Sequence, residues 1–205
     1  MARPVALPTI TNDSALGGTV IEKSVRFHDA DGAHFFRDAS TGNRRTFTFS
    51  CWIKRIDLGA YRSIFAARES GTNNLDYLVW WTDDTLAFTN YNSSNYKVRT
   101  AVKYRDSNSW YHIVLAVDST QATASNRVKM YVNGSQVTFF ADVAYPSQNY
   151  DFEINRNVRQ YVGFNGFNYM DGYMANIHQV DGLQLDASAF GYTAVSYTHL
   201  TLPTK

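Results

Sequence analysis

Glutamate is scarce in this chain: Glu22, Glu69 and Glu153 are the only three in 205 residues. Retaining glycoside hydrolysis needs an acid and a nucleophile about 5 Å apart, which a strand supplies from carboxylates two residues apart. No Glu-x-Asp-x-Glu arrangement occurs, and aspartates at that spacing occur only as Asp29 and Asp31, in a turn. Serine chemistry fares no better, for there is no Gly-x-Ser-x-Gly elbow. His28, His34, His112 and His178 lack a metal-binding spacing such as His-x-x-x-His. The chain is therefore read as not an enzyme. Cysteine is nearly absent: Cys51 alone excludes an internal disulfide framework and reads as a small buried hydrophobe. No apolar run approaches the roughly 20 residues of a membrane span, and residues 1–14 contain no secretory h-region. Charge is low, 18% of residues, with 19 Lys+Arg against 18 Asp+Glu. That balance excludes the clustered cationic footprint of a nucleic-acid binder and the polybasic surface of a membrane binder.

What remains is aromatic and polar. The chain has 14 Tyr, 13 Phe and 4 Trp, 44% hydrophobic residues and a mean hydropathy of -0.34, enough to bury a core. The dominant period is two. Phe47, Phe49, Cys51 and Ile53 share one face of a strand, and Thr48, Ser50, Trp52 and Lys54 the other. Strand 110–117 repeats the pattern, with Tyr111, Ile113, Leu115 and Val117 against Trp110, His112, Val114 and Ala116. Asn133-Gly134 predicts a type I′ hairpin between 127–132 and 136–140. Asp186 to Phe190 predicts one short helical turn. Many strands joined by turns, with no sustained helical period and no repeat, predict an all-β sandwich or barrel. Residues 1–20 read as a loose leader and 21–194 as one domain.

Three stretches carry a family resemblance: FTFSCWIKR at 47–55, WYHIVLAVDSTQATASNRVKMYVNG at 110–134 and YVGFNGFNYMDGYMANIHQVDG at 161–182. In this order they resemble a laminin-G-like domain of the concanavalin A-like lectin/glucanase superfamily, over roughly residues 24–192. More narrowly they are similar to modules of marine bacteriophage structural and tail proteins. The resemblance implies a jelly-roll sandwich of two antiparallel sheets, one convex and one concave. It also implies a ligand surface on the concave face or rim loops, sometimes with calcium, and a place on a virion or extracellular surface. Residues 195–205, VSYTHLTLPTK, resemble a translated sequencing-library adaptor rather than a continuation of the domain. Without them, Lys+Arg falls to 18 and balances the 18 acidic residues.

Sugars present apolar CH faces and hydroxyl edges, so a lectin site wants an aromatic plane beside amide or acid groups. On that ground Trp52, Trp81, Tyr91, Trp110, His112, Asn165 and Tyr169 are the carbohydrate-binding candidates. Trp80-Trp81 is informative because neighbours on a strand face opposite ways, and one of the two must leave the core. The loop FNGFNY, 164–169, is placed at a rim. Calcium needs several convergent oxygens, and Asp29, Asp31, Asp76 and Asp171 are the available turn residues. No cofactor is required by this reading. Two partners fit the composition: a glycan or cell-surface polysaccharide, and other virion proteins packed against a structural module.

Overall fold

The computed structural model describes residues 23–91 and 95–191; the expected leader and the adaptor-like tail lie outside them. Thirteen strands are described in chain order. They are β1 (Val25–Phe27), β2 (Phe35–Asp38), β3 (Thr46–Arg55), β4 (Arg62–Arg68), β5 (Leu75–Trp80), β6 (Thr85–Asn90) and β7 (Lys97–Lys103). There follow β8 (Tyr111–Asp118), β9 (Val128–Val132), β10 (Ser135–Gln136), β11 (Phe140–Ala144), β12 (Arg159–Val162) and β13 (Gly172–Asp181). All pairings are antiparallel. One sheet has the order β1-β13-β3-β8-β9-β10, the other β11-β7-β6-β5-β4-β12-β2. This is the all-β, two-sheet sandwich that the alternation predicts.

The core lies between the sheets. Phe47, Phe49, Cys51 and Ile53 from β3 and Ile113, Leu115 and Val117 from β8 are sealed from solvent. They face Ile64, Phe65, Leu78, Trp80, Leu86 and Phe88 of the seven-stranded sheet in one continuous cluster. Phe49 and Phe65 stack across the interface at 4.4 Å, and Phe47 meets Phe152 edge-on at 5.4 Å. Beside β2 the sandwich is open, and a cavity of about 280 Å³ reaches Phe49 and Phe65 from that side.

The hairpin at Asn133-Gly134 forms as expected, with φ of 51° and 80° at the two central residues. The strand predicted over 136–140 does not. Only Ser135–Gln136 pairs with β9, and Val137 N–H closes the hairpin on the Met130 carbonyl. The chain then crosses the sandwich, Ala101 N–H donates to the Phe139 carbonyl, and Phe140 opens β11 in the other sheet against β7. Val137 and Phe140 both pack on the core, while Phe139 between them is exposed, so the crossing breaks the two-residue period. The predicted helical turn is a single 3-10 turn, Ala187–Ala189, capped by the Asp186 side chain.

The outer face of the six-stranded sheet is partly covered. After β13 the chain folds back over it: Thr48 Oγ1 donates to the Leu183 carbonyl at 2.7 Å and accepts from Leu185 N–H at 2.9 Å. Gln184 Nε2 donates to the Asn126 carbonyl at 2.8 Å, and Phe190 packs at 5.9 Å from His178.

Candidate functional site

The outer face of the seven-stranded sheet is aromatic. Alternation along β5 sends Trp80 into the core and Leu75, Tyr77 and Val79 outward, and Trp81 follows them onto the outer face. There they form a second cluster with Ala66 and Ala87, against which Tyr61, Trp81 and Tyr91 pack half-buried. Tyr61 meets Trp81 edge-on at 5.0 Å and hydrogen-bonds Tyr77. Burial first, then that hydrogen bond, raise the Tyr61 hydroxyl far above its ordinary pKa, so it stays a neutral donor. One rung of the ladder runs across the face as Phe36, Tyr161, Ala66, Tyr77, Thr89 and Lys97. At the β7 end, Lys97 Nζ lies 4.5 Å from the Trp81 ring centroid, and Arg99 bridges Asp83 and Asp142.

The FNGFNY loop lies against this face. Asn165 is buried, and its Oδ1 accepts from the N–H groups of Phe167 at 3.0 Å and Asn168 at 2.8 Å, which folds the loop back on itself. Phe167 stands out from it, 55% exposed, 6.0 Å from Tyr91. Tyr61, Leu75, Tyr77, Tyr91, Asn165 and Phe167 line a shallow cavity of about 190 Å³. The rest of the loop makes a second aromatic group: Tyr169 stacks on Phe164 at 4.3 Å, and both meet His34.

Residues 28–181 match the family model for a laminin G domain of the concanavalin A-like lectin/glucanases superfamily. The chain belongs to that family. The sequence has no match among curated proteins. Solved structures share the laminin G-like fold at low identity. A heptameric SAP-like pentraxin from Limulus polyphemus is 15% identical, with 76% of this chain and 74% of that one covered and a TM-score of 0.52. Domain 4 of a GH43 extracellular arabinanase from Geobacillus stearothermophilus, solved with arabinotriose, is 16% identical, covering 80% and 85% at 0.53. The CBM40 of a Ruminococcus gnavus sialidase, bound to α2,3 sialyllactose, is 13% identical, covering 83% and 97% at 0.52.

Of the sequence-level candidates, the laminin G-like sandwich brings Trp81, Tyr91 and Asn165 together on one face, with Tyr169 beside them at the His34 corner. It places Trp52 and His112 on the outer face of the opposite sheet. There Trp52 stacks on the buried His112 ring at 4.9 Å, and Ser50 Oγ lies 3.0 Å from His112 Nε2. Burial, helped by His178, depresses the His112 pKa. Trp110 sits half-buried just ahead of β8. Sequence reasoning overlooked Tyr61, Tyr77 and Phe167. Tyr77 was findable, since it lies four residues before Trp81 and shares its face.

Two pairs of carboxylates in this laminin G-like domain meet around an arginine, while Asp76 and Glu153 border one polar cavity. Arg62 pairs with both Asp29 and Asp57, and Arg156 with both Glu69 and Glu153. Asp151, two residues from Glu153, is held by Arg45 at 2.8 Å. The four calcium candidates are dispersed: Asp29 on Arg62, Asp31 on His28, Asp171 on Arg26 and Asp76 in the interior. Among the described residues no three His, Cys, Asp or Glu side chains are grouped to hold a metal.

Asp76 borders a polar cavity of about 330 Å³ with Asn74, Asn90, Tyr150 and Glu153. Its oxygens accept from the Tyr96 hydroxyl at 2.8 Å and from Glu153 N–H. Burial outweighs those donors and pushes its pKa up to about 7. The native state then holds a proton that the unfolded chain, with a carboxyl near 3.8, has released. The stabilising contribution is whole below about pH 4 and lost as pH rises through about 7. Urea titrations at pH 5 and 7.5 will show lower stability at 7.5, and Asp76→Asn will flatten that difference whatever its absolute stability.

Proposed function

We propose that this domain is a non-catalytic recognition module that binds glycans on the outer face of its seven-stranded sheet. The observation that carries the reading is the cavity beside Phe167: rings of Tyr61, Tyr77 and Tyr91 flank it, and amide side chains stand at its edge. At about 190 Å³ it is smaller than the about 300 Å³ at which enclosed small-molecule sites begin, which suits one sugar ring stacked at the surface. Two of the similar structures were solved with oligosaccharides, arabinotriose and sialyllactose, and that supports the same class of ligand. The arginine-bridged acids support a binding rather than a hydrolytic role, because a carboxylate held by a guanidinium is a poor general acid. The sequence resemblance to phage structural modules supports a setting on a virion or another extracellular surface.

A glycan array tests this. Phe167→Ala will lower affinity on the order of tenfold, since exposed rings anchor such contacts, and will leave the thermal midpoint nearly unchanged. Trp81→Ala and Tyr169→Ala will weaken binding in the same direction, without unfolding the domain. An array with no ligand, with and without calcium, would sink the glycan reading and leave a structural module that packs against other virion proteins.

A further inference from the structure

Every other arginine among the described residues donates to a carboxylate, a side-chain amide or a backbone carbonyl. Arg26, Arg45, Arg62, Arg99, Arg105, Arg156 and Arg159 have aspartate or glutamate partners. Arg44 and Arg127 hold backbone carbonyls, Arg55 holds both kinds, and Arg37 holds Gln160 and Gln179. Arg68, at the end of β4, makes no hydrogen bond and no ion pair among the described residues. Its Nε is sealed from solvent with no acceptor, whereas its two terminal amino groups are not sealed. Glu69, next in sequence, is engaged by Arg156 and Asn74. The β12–β4 ladder sets Arg159 directly opposite Arg68, and Arg159 has Asp38 on its far side. Like charges opposed across a ladder are destabilising unless something anionic relieves them.

The surroundings of Arg68 are built. Its guanidinium lies 4.5 Å from the centroid of Phe167, the exposed ring of the cavity. A side chain at residue 166 would run into that guanidinium, and Gly166, with φ at +96°, leaves the space. Leu75, opposite Arg68 in the ladder, is part of the cavity wall. An unneutralised cation therefore stands beside the shallow aromatic cavity at Phe167.

We infer that Arg68 is the anion-binding group of that face and that the preferred ligand is an acidic glycan carrying a sugar carboxylate. The inference rests on the glycan reading and narrows it. A planar carboxylate takes the free end of the guanidinium by two parallel N–H···O bonds, while a sugar ring lies against Phe167 and Tyr91.

The test compares polygalacturonate with its fully methyl-esterified form, which has the same backbone without the charge, alongside a panel of neutral polysaccharides, by affinity electrophoresis at fixed salt. The parent protein is expected to bind the acid about tenfold tighter than the ester. Arg68→Gln will abolish that preference, bringing the acid down to the level of the ester, and will not lower the thermal midpoint, because it also removes the charge opposed to Arg159. Arg68→Lys, which keeps the charge but loses the fork, will retain only part of it. A sulfated dextran arm distinguishes a carboxylate site from one for any anion: equal preference for sulfate would overturn the carboxylate assignment. If the ester binds as well as the acid, if Arg68→Gln keeps the preference, or if only neutral polysaccharides bind, the role of Arg68 falls and the glycan reading stands. If nothing in the panel binds, both fall.

Discussion

Asp84→Asn will lower the unfolding free energy by about 3–5 kcal/mol, the cost of leaving a buried charge without its partner. Arg55, 1% exposed, donates to Asp84 at 3.0 Å and to the Tyr104 carbonyl at 2.8 Å, and it stacks 4.8 Å from the Trp80 ring. The same carboxylate accepts from Gly59 N–H at 2.7 Å and from Arg105 at 2.9 Å. Asp84 thus fixes three chain segments to one another: the loop after β3, the turn between β5 and β6, and the end of β7. Burial by itself would raise its pKa, but Gly59, Arg105 and Arg55 together hold it below the usual carboxylate range. That part of the stability is present above about pH 4 and disappears as pH falls through the lowered value. Asparagine keeps the shape, tolerates the φ of 69° at this position and still accepts from Gly59, so the substitution removes little besides charge. Urea denaturation measures the loss. The double variant Arg55→Met/Asp84→Asn will be less destabilised than Asp84→Asn alone, because no orphaned cation remains. A single variant with the parent's midpoint would show that water reaches Arg55.

Phe49→Ala will cost about 3–5 kcal/mol, the range for a large buried aromatic. Phe49 is fully buried, and its stack on Phe65 joins the two sheets near the middle of the core. Phe49→Leu, closer in volume, will cost under about 1.5 kcal/mol. The denaturant slope will be unchanged in both, since the surface exposed on unfolding barely differs. An alanine variant that loses less than about 1 kcal/mol would mean that the neighbouring cavity at β2 lets the site collapse.

The architecture was legible because local signals agreed with the global packing. The alternation FTFSCWI, the Asn-Gly turn and the Trp80-Trp81 pair each took the orientation that period-two geometry dictates. Gln136–Phe140 misled for a physical reason. Val137 and Phe140 both pack on the core, but from either end of a crossing between sheets, and such a crossing has no period to read. The candidate site was legible only in part. Trp81, Tyr91 and Asn165 were visible as aromatic and amide residues near turns, yet nothing in the sequence says which sheet face the rest of the chain will cover. Leu183 and Leu185 fold back onto Thr48, on the face that carries Trp52 and His112, and that contact spans more than 130 residues of sequence. Arg68 carried no signal, because what sets it apart is the absence of a partner, and partners are known only once the chain is folded.

β1 holds to the sandwich through its pairing with β13, three residues against three. The pairing is antiparallel and confined to the first three residues of β13: Val25 enters opposite Met174, and Phe27 ends β1 opposite Gly172. Tension applied through both ends of the domain would therefore peel β1 away one rung at a time, with each hydrogen bond loaded in turn rather than all sharing the force. The domain is mechanically soft along that line, and Phe27, the buried anchor of β1, is the last side chain to hold before the core opens.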